Sequence, residues 1–294
     1  MKMRLARFLH NGIEGYGLVI DGKIVPASSI ISKEMLPKSV DELISNEKAF
    51  SLLRQHAPGA REGGIPIEEV RLLHPISSPS KIVCLGLNYR DHAREAGKAL
   101  PKNPIIFIKG RNALTGPFDP IIYPPITKQL DYEGELAVVI GKRGKNVGRG
   151  NALSLVAGYM ISNDVSARDI QMGDGQWTRG KTLDTFAPIG PWITTADELG
   201  DPMDLSIRTY VDGEKRQEGN TRDMVFGVSE IIELLSKGMT FEPGDIILTG
   251  TPSGVAHYMK PKPRYLSVGN IIRIEITGLG HIENRVEAQG PECI

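Results

Sequence analysis

The chain contains two glutamates, Glu133 and Glu135, two residues apart at the head of an unbroken apolar run at 136–140. In a β-strand, side chains at positions i and i+2 leave the same face, so both carboxylates would project together. Two like charges at the mouth of a buried strand repel each other and lose hydration, and a hard divalent cation is the simplest group that offsets both effects. The segment alone also fits two glutamates on a solvated strand end. Gly134, between them, would let another strand pack closely behind the pair.

Asp164 is a third candidate carboxylate for the same site. It follows the run at 157–163, where a predicted strand gives way to a short helix. An all-oxygen set of two glutamates and one aspartate suits Mg²⁺, Mn²⁺ or Ca²⁺. Because Mg²⁺ keeps positions open for water and substrate oxygens, such a site would be catalytic. By itself, Asp164 also fits a helix cap, the commoner role of such an aspartate.

His92 and Glu95 lie three residues apart in a segment, 86–97, that fits a short helix. On a helix, residues i and i+3 share one face, and a carboxylate beside an imidazole orients the ring and raises its basicity. Such a pair suits a general base that takes a proton from water. A surface ion pair is the alternative that the segment leaves open.

Two further polar residues stand at predicted strand ends. Lys109 closes the strand at 105–108, where a lysine is usually solvated, and Thr251 lies in a turn at 250–254 that is rich in Gly, Pro and Ser. Such a turn can offer backbone N–H groups and a hydroxyl to a carboxylate. It is equally consistent with a tight turn that holds no ligand.

A glycine-containing segment, GQWTRGKT at 175–182, satisfies the phosphate-binding pattern G-x-x-x-x-G-K-[ST]. That mechanism requires a buried strand before the loop and a helix after it, so that the helix N-terminus meets the phosphates. Residues 169–174 have no strand pattern, and Pro188 and Pro191 oppose a long helix afterwards. We therefore reject a nucleotide-binding loop, and Lys181 requires another explanation.

Composition excludes several classes of function. The 294 residues carry 35 basic and 35 acidic side chains, so no broad electrostatic field favours nucleic acid or an anionic membrane. No apolar run approaches the roughly 20 residues that a membrane span requires. Cys84 and Cys293 form neither a disulfide framework nor a zinc pattern. We therefore expect a soluble protein of the reducing cytoplasm.

The order of the patterns predicts a β-rich α+β protein in two parts. Residues 1–70 are expected to form a small N-terminal α/β domain. In it, Asp21-Gly22 is typical of a hairpin turn, and Ser39 with Glu42 resembles a helix-capping box. Breaks at Pro58-Gly59 and Gly63-Gly64 indicate a linker before the second part.

Residues 71–294 are expected to form the larger, catalytic domain. Short runs rich in Ile and Val predict strands at 82–85, 105–108, 136–140, 158–161, 207–211, 246–249 and 271–276. Helices are expected to be few and short. Ser229 is expected to cap one that runs to about Gly238, and a capping-box pattern at 166–169 predicts another. The pattern differs from an alternating βαβ chain.

Five segments together closely resemble motifs of the fumarylacetoacetate hydrolase family. They stand in the family's order and span about residues 70–285. They are GLNYRDH at 86–92, LDYEGEL at 130–136, NDVSARDIQ at 163–171, GKTLD at 180–184 and TGTPSGV at 249–255. Their number and order set aside the alternatives that each segment leaves open by itself.

The resemblance implies a mixed β-roll or β-sandwich catalytic domain behind a small N-terminal domain, assembled as a homodimer. The metal ligands that it implies, typically for Mg²⁺ or Mn²⁺, are Glu133, Glu135 and Asp164. The catalytic residues that it implies, with the first two on a segment that orders as a lid, are His92, Glu95 and Lys181. The implied contacts to substrate oxygens are Lys109, Arg168, Gln171 and Thr251.

The implied substrate is a small 2-oxo or 2,4-dioxo acid whose two oxygens chelate the cation. The cation stabilises the enolate left when a C–C bond breaks, and Lys181 adds positive charge beside the developing oxyanion. His92 takes a proton from the water that attacks the distal acyl carbon. The principal expectation is therefore a divalent-metal-dependent hydrolase of an acylpyruvate-like 2,4-dioxo acid.

Two other reactions would use the same site: decarboxylation of an oxaloacetate-type acid, and isomerisation of a 2-hydroxyhepta-2,4-diene-1,7-dioate or hydroxymuconate type of diene. A non-catalytic protein that binds a metal and a small ligand is the alternative from a different class. The joint presence of His92, Glu95 and Lys181 argues against it. One departure from the family pattern borders the expected pocket, because Val255-Ala256-His257 replaces the usual Val-Gly-x and can alter substrate fit.

Overall fold

β-strands carry most of the regular structure in the computed structural model, which describes residues 3–56 and 64–290. The strands in these ranges are β1 (Arg4–His10), β2 (Ile13–Ile20), β3 (Lys23–Pro26), β4 (Ile65–Pro66), β5 (Arg71–Leu73), β6 (Ile82–Gly86), β7 (Ile105–Lys109), β8 (Leu114–Thr115), β9 (Ile121–Tyr123), β10 (Leu130–Asp131), β11 (Gly134–Ile140), β12 (Val156–Asn163), β13 (Ser166–Ala167), β14 (Ala187–Thr195), β15 (Ser206–Val211), β16 (Glu214–Asn220), β17 (Ile246–Leu248), β18 (Ile271–Ile276) and β19 (Gly280–Ala288). The α-helices are α1 (Val40–Ser45), α2 (Glu47–His56), α3 (Arg90–Glu95), α4 (Arg149–Ala152), α5 (Arg168–Gly173), α6 (Thr178–Lys181), α7 (Ala196–Leu199) and α8 (Val228–Ser236).

The apolar runs predicted to be strands coincide with β6, β7, β11, β12, β15, β17 and β18. Both predicted hairpin turns are also confirmed. Asp21 and Gly22 join β2 to β3 with φ angles of 48° and 77°, and Asp212-Gly213 joins β15 to β16 with φ angles of 50° and 79°. Positive φ at both central residues gives the turn a twist that matches the flanking strands. The expected β-rich fold with short helices is therefore confirmed.

Twelve strands form one mixed sheet in the order β4-β3-β2-β1-β14-β12-β11-β17-β6-β7, with β5 beside β1 and β8 beside β14. β11 lies near its centre, antiparallel to both β12 and β17. Every residue of β11 is buried, which is why residues 136–140 form a continuous apolar run and do not alternate. The head of this strand, where the two glutamates stand, is therefore also enclosed by protein.

A second sheet of five strands, in the order β16-β15-β18-β19-β9, packs against the first. Leu136 and Val138 of β11 share a core cluster with Ile207, Ile274 and Ile282 of the second sheet. Dispersion and the hydrophobic effect therefore hold the two sheets face to face. This contact brings the second sheet behind the head of β11.

The first 70 residues share the large sheet with the rest of the chain. β1 pairs antiparallel with β14, with Leu5 opposite Ile193, and also pairs with β5. Leu5 and Leu43 belong to the same core cluster as Met160. The division of the chain at residue 70 stays a prediction, and of the expected linker Pro58, Gly59 and Gly63 lie outside the described residues.

The predicted helices are present, but their capping differs in detail. The Ser39 side chain caps α1 as expected, accepting a hydrogen bond from Glu42 N at 3.1 Å. Ser229 does not cap α8: the helix begins one residue earlier, at Val228, behind Gly227. Ser166 does not cap α5 either, because it lies in β13 and its hydroxyl donates to Asp164 O. No helix within the described ranges is long and apolar enough to cross a bilayer.

β14 is a central strand that the sequence patterns above do not predict. It contains Pro188 and Pro191, which have no N–H to donate and normally keep a segment out of a central strand. Pairing with β12 is accordingly irregular: Gly190 lies opposite Ile161, and regular pairing resumes only at Thr194. Burial between β1 and β12 therefore outweighs the local preference against a strand.

Gly134 lies where the second sheet approaches the head of β11 most closely. A Cβ at this position would lie 2.4 Å from Thr209 Oγ1 and 3.1 Å from Ile274 Cγ2. The structure thus confirms that the bare position admits close packing behind the glutamates.

Replacement of Gly134 by alanine is expected to destabilise the protein by about 1–3 kcal/mol, because the added methyl overpacks a tight contact. Urea unfolding measures this loss. Gly150→Ala is the matched control, because no atom would lie within 4 Å of its Cβ. Combining Gly134→Ala with Thr209→Ala should restore part of the lost stability, because the second change removes the hydroxyl that the new methyl would meet. Equal midpoints for Gly134→Ala and Gly150→Ala would contradict the packing account.

Candidate active site

Glu133, Glu135 and Asp164 converge at the head of β11. One carboxylate oxygen from each lies within 4.8 Å of the other two, and all three side chains are buried. The antiparallel register produces this convergence, because Gly134 pairs with Asn163 and Asp164 N donates to Glu133 O at 2.9 Å. The end of β12 therefore places its aspartate beside the start of β11.

Three buried cations surround these carboxylates. Lys181 Nζ lies 2.9 Å from Glu133 Oε2 and 2.7 Å from Asp164 Oδ2. Lys109 Nζ lies 2.7 Å from Asp164 Oδ1, and Arg168 Nη2 lies 2.6 Å from Glu133 Oε1. Burying charge is costly unless each charge is paired. Glu135 is the member of the group to which these cations make no direct contact.

The pKa values reflect this uneven pairing. Burial, together with the charges of Asp164 and Glu133, raises the pKa of Glu135 well above its ordinary value. Burial also opposes ionisation of Glu133, but Lys181 and Arg168 outweigh it and hold the pKa of Glu133 below its usual range. The negative charge of Glu135 is therefore the one that the protein's own cations compensate least.

One carboxylate oxygen of Glu135 shows whether a cation would fit among the three carboxylates. Glu135 Oε2 accepts a hydrogen bond from Gly250 N at 2.7 Å, but the buried Oε1 has no hydrogen-bond partner in the described part of the chain. A buried acceptor without a partner is destabilising. A divalent cation held by Glu133, Glu135 and Asp164 would satisfy it, and an all-oxygen set suits Mg²⁺, Mn²⁺ or Ca²⁺. The residues present therefore fit the predicted metal.

The predicted pair His92 and Glu95 lies on the short helix α3. His92 Nδ1 is 3.0 Å from Glu95 Oε2, and the other carboxylate oxygen of Glu95 accepts a hydrogen bond from Gly254 N at 2.9 Å. Asp91 also joins this helix to the same turn, accepting from the Ser253 hydroxyl at 2.7 Å. The imidazole is thus oriented through Nδ1, and Nε2 remains for a substrate.

A cavity of about 340 Å³ lies against these groups. This volume is at the small end of the range for ligand pockets. The predicted site residues that line it are His92, Glu133, Arg168, Gln171, Lys181 and Thr251. Glu95, Glu135 and Asp164 are not among the lining residues. Apolar walls come from Leu85, Phe107, Met172 and Trp177.

Lys109 occupies a different place from that expected of a substrate contact. Its ammonium contacts Asp164 and donates to the carbonyls of Val165 at 3.1 Å, Phe186 at 2.8 Å and Lys181. Lys109 is not among the residues that line the cavity. The buried end of β7 packs against the loops after β12 and α6 and so encloses the ammonium. In this structure Lys109 therefore positions Asp164 and does not meet the cavity.

Arg168 organises one wall of the cavity. Its guanidinium donates through Nε to Asp131 Oδ2 at 2.8 Å and through Nη1 to Gln171 Oε1 at 3.1 Å, while Nη2 contacts Glu133. Because Gln171 Oε1 accepts from Arg168, the amide NH₂ of Gln171 is left to donate to a bound oxygen.

The Thr251 hydroxyl is engaged within the protein. It donates to Gly134 O at 2.9 Å and accepts from Gln217 Nε2 at 2.8 Å. The turn after β17 therefore ties the second sheet to the head of β11. The turn's backbone N–H groups serve the protein's own carboxylates, Glu135 and Glu95.

Asp131 is a functional position that the sequence patterns above do not single out. Its carboxylate accepts hydrogen bonds from Arg168 Nε, Ala256 N at 2.8 Å and His257 N at 3.0 Å. The side chain is fully buried. A signal was present, because Asp131 precedes Glu133 at the same two-residue spacing that separates the glutamates.

The structure bears out the rejection of the phosphate-binding pattern at 175–182. Helix α5 stands directly before the segment where the mechanism needs a strand, the four-residue helix α6 lies within it, and strand β14 follows it where the mechanism needs a helix. Lys181 ends α6 and contacts Glu133 and Asp164. Its pKa is raised because those carboxylates outweigh the effect of burial. The lysine therefore belongs to the carboxylate cluster.

Comparison with known proteins identifies relatives along nearly the whole chain. The mitochondrial oxaloacetate tautomerase FAHD2A of Bos taurus is 43% identical over 290 residues, which cover 97% of this chain and 91% of that protein. A solved fumarylacetoacetate hydrolase from Exiguobacterium antarcticum is 39% identical with a TM-score of 0.82, covering 98% of this chain and 100% of that one. A 2-hydroxyhepta-2,4-diene-1,7-dioate isomerase from Mycobacterium marinum is 36% identical with a TM-score of 0.75, with the same two coverages.

The cytoplasmic location expected from the sequence is wrong by this comparison, because the bovine relative is described as mitochondrial. The cysteine pattern from which the expectation came reports only on redox conditions. It does not distinguish one reducing compartment from another.

The match to a family model covers the part of the chain that holds every candidate site residue. The model describes the C-terminal domain of fumarylacetoacetate hydrolase, and it matches residues 81–287. Together with relatives well above 30% identity along almost the full length, this match shows that the chain belongs to the fumarylacetoacetate hydrolase family.

Proposed function

We propose that this protein catalyses the enol–keto tautomerisation of a short 2-oxo acid, with a divalent cation bound by Glu133, Glu135 and Asp164. The observation that supports this proposal most directly is the orientation of the His92 imidazole. Its Nδ1 lies 3.0 Å from Glu95 Oε2, and the ring lines a small cavity. Tautomerisation requires one group that moves a proton at carbon and positive charge near the oxygen. The oxaloacetate tautomerase name of the bovine relative supports the same chemistry.

His92 would move the proton. An imidazole with Nδ1–H directed at Glu95 presents the lone pair of Nε2, which can take a proton from C3 of the keto form. Glu95 stabilises the imidazolium that results, and the imidazolium can return the proton to C3. In the direction from enol to keto, the enol oxygen loses its proton to water and C3 gains one from the imidazolium, which regains a proton from water, so the composition of the substrate is unchanged.

Charge near the substrate oxygens would favour the enolate. When bound, a divalent cation supplies Lewis acidity that favours the enolate form of a 2-oxo acid, and Mg²⁺ or Mn²⁺ suits the three carboxylates. Lys181 adds a buried positive charge at the cavity lining, and the free amide NH₂ of Gln171 can donate to a carboxylate oxygen. The apolar walls exclude water from the reacting carbon.

The same residues leave hydrolysis of an acylpyruvate-like acid as the second candidate. In that reaction His92 Nε2 would take its proton from a water, as first expected from the sequence, and the Exiguobacterium relative's name favours it. Decarboxylation of an oxaloacetate-type acid would need no base at His92. The three reactions differ in product, so one assay separates them. A non-catalytic binding role is disfavoured, because the family is one of enzymes.

Metal binding is expected to depend on Glu135. Replacing it by glutamine removes one anionic ligand, so the affinity for Mn²⁺ should fall by at least the ~10–100-fold that follows changes in the outer shell of metal sites. Without metal, Glu135→Gln should be as stable as the parent chain or more so, because a buried repulsive charge is gone. Isothermal titration calorimetry and urea unfolding in chelator measure the two effects.

Glu287→Gln is the control for this experiment, because Glu287 is an exposed residue near the end of β19. It should change neither quantity. If Glu135→Gln keeps the parent affinity, the assignment of the three carboxylates as metal ligands is wrong.

Loss of the His92 imidazole is expected to reduce tautomerisation by about 10²–10⁴-fold, the usual contribution of a positioned general base. The assay dissolves oxaloacetate in D₂O and follows, by NMR, the entry of deuterium at C3 together with pyruvate formation. His92→Gln should slow C3 exchange, and removal of the cation by chelator should abolish it.

Product identity decides between the candidates. Exchange without pyruvate supports tautomerisation, whereas pyruvate with carbon dioxide from oxaloacetate, largely retained in His92→Ala, would indicate a decarboxylase. Pyruvate and a free acid from acylpyruvates, but no exchange with oxaloacetate, would favour the hydrolase. His56→Gln on the exposed end of α2 is the matched control and should leave all rates unchanged.

We also propose a homodimer and, from the bovine relative, a mitochondrial location. β7 is the last strand in the order of the large sheet, and Ile105, Ile106 and Ile108 on it are 36%, 44% and 38% exposed. An apolar edge strand is a ready template for pairing with another chain. A second copy paired about a two-fold axis would cover it.

Two lysines on β7 are expected to make the protein monomeric. Ile106→Lys with Ile108→Lys places charge on the edge that the proposed dimer buries, and light scattering after size-exclusion chromatography measures the mass. Val268→Lys, at another exposed apolar position, should leave the dimer intact. A parent chain that is monomeric at micromolar concentration would rule the proposal out.

A further inference from the structure

One wall of the cavity is formed by a single turn of 3-10 helix, Ala256–Tyr258, that the proposed reaction does not use. His257 and Tyr258 both line the cavity. The backbone N–H of His257 is held by Asp131, the same buried carboxylate that anchors Arg168. The His257 ring packs edge-on against Tyr258, with centroids 4.7 Å apart. This second imidazole of the cavity is therefore firmly positioned.

A chain of hydrogen bonds favours a proton on Nδ1 of His257. The Tyr265 hydroxyl donates to Gln129 Oε1 at 3.2 Å, and the same hydroxyl oxygen lies 2.8 Å from His257 Nδ1. A phenol has one proton to donate. Because that proton is directed at Gln129, the hydroxyl oxygen accepts from Nδ1–H of His257, and Nε2 keeps its lone pair.

The surroundings of His257 also favour the neutral ring. Burial lowers the pKa of His257, and the nearby positive charge of Arg168 lowers it further, against a smaller opposing effect of Asp131. A neutral imidazole whose Nδ1 is a donor offers only an acceptor at Nε2. No described residue donates a hydrogen bond to that atom.

An acceptor in the wall of a small cavity discriminates between ligands. It gains a hydrogen bond from a hydroxyl group, whereas a carboxylate oxygen placed against it brings two lone pairs together and leaves both unpaired. Lys98, which also lines the cavity, attracts a carboxylate in every variant. The contribution of His257 is therefore measured by how the preference between a hydroxylated acid and a dicarboxylic acid changes when His257 is replaced. The absolute preference also contains the effect of Lys98.

We propose that His257 is a specificity-determining residue that accepts, at Nε2, a hydrogen bond from a hydroxyl group on the substrate chain beyond the oxo carbon. His257 thereby shifts the preference of the protein toward hydroxylated 2-oxo acids, relative to those with a second carboxylate at that end. This inference rests on the proposed function to the extent that the cavity binds a 2-oxo acid. Gln129 and Tyr265 are positioning residues that maintain the acceptor.

The tautomer can be observed directly in the metal-loaded protein. Long-range ¹H–¹⁵N NMR correlations distinguish a protonated from an unprotonated ring nitrogen, and the His257 signals are those lost in His257→Phe. The expected pattern is a protonated Nδ1 and an unprotonated Nε2 at neutral pH. Tyr265→Phe should convert His257 to a mixture of tautomers. A protonated Nε2 in the parent chain would overturn the proposal.

Ligand preference is measured with three four-carbon acids that differ at C4: 4-hydroxy-2-oxobutanoate, oxaloacetate and 2-oxobutanoate. Stopped-flow quenching of tryptophan fluorescence reports binding before turnover matters, because Trp177 lines the cavity. In His257→Phe the preference for the hydroxylated acid over oxaloacetate should fall about tenfold, the effect of one hydrogen bond to a neutral acceptor. His257→Gln, which keeps an acceptor, should retain part of the preference.

His281→Phe is the matched control, because His281 is also half-buried and packs edge-on against an aromatic ring, that of Phe118, at 5.5 Å. It should not change the preference. If the three acids bind but His257→Phe leaves their ratios unaltered, the role of His257 is refuted while the proposed function stands. If the parent chain binds none of them, the proposed function fails and this proposal with it.

Discussion

The burial of like charges at the head of β11 is the constraint on which the rest of the structure depends. Four carboxylates are buried there, those of Asp131, Glu133, Glu135 and Asp164, and three cations, those of Lys109, Arg168 and Lys181. Breaking one pair in such a group leaves an uncompensated buried charge, which costs about 3–5 kcal/mol. The cluster therefore persists only if every segment that supplies a partner is held in place, and it leaves a place for one further positive ion at Glu135.

Hydrogen bonds from the turns around the cavity hold these segments in place, because each turn bonds to groups on two different elements. The turn after β17 donates Gly250 N to Glu135 and Gly254 N to Glu95, which joins the carboxylate cluster to the helix that carries His92. Asp131 likewise joins Arg168 to the turn at Ala256–Tyr258. Charged and polar groups fixed in this way do not have to reorganise during a reaction. In enzymes, this preorganisation supplies most of the electrostatic stabilisation of the transition state.

Local sequence was a good guide wherever one local force dominates. Runs of Ile and Val gave correct strands, since β-branched side chains favour strands before any partner is specified. Asp21-Gly22 specifies its turn through positive φ. Prediction failed where tertiary contacts outweigh local preference. β14 is a central strand in spite of two prolines, and Ser229 loses the cap of α8 to Gly227. The position of Lys109 in the site could not be predicted from local sequence for the same reason, because its ammonium is enclosed by three carbonyls from separate parts of the chain.

By itself, the sequence determined which groups can do chemistry here: two glutamates at strand spacing, an aspartate at a strand end, and a histidine and glutamate one helical turn apart. Those facts depend on backbone periodicity, which is local. Only the tertiary structure decided what surrounds each group. Asp131 as an anchor, Lys109 as a support of Asp164 and His257 as a second oriented imidazole all arise from contacts between segments distant in the chain. Partial charges act through space, and spacing along the chain carries no record of which distant segments meet.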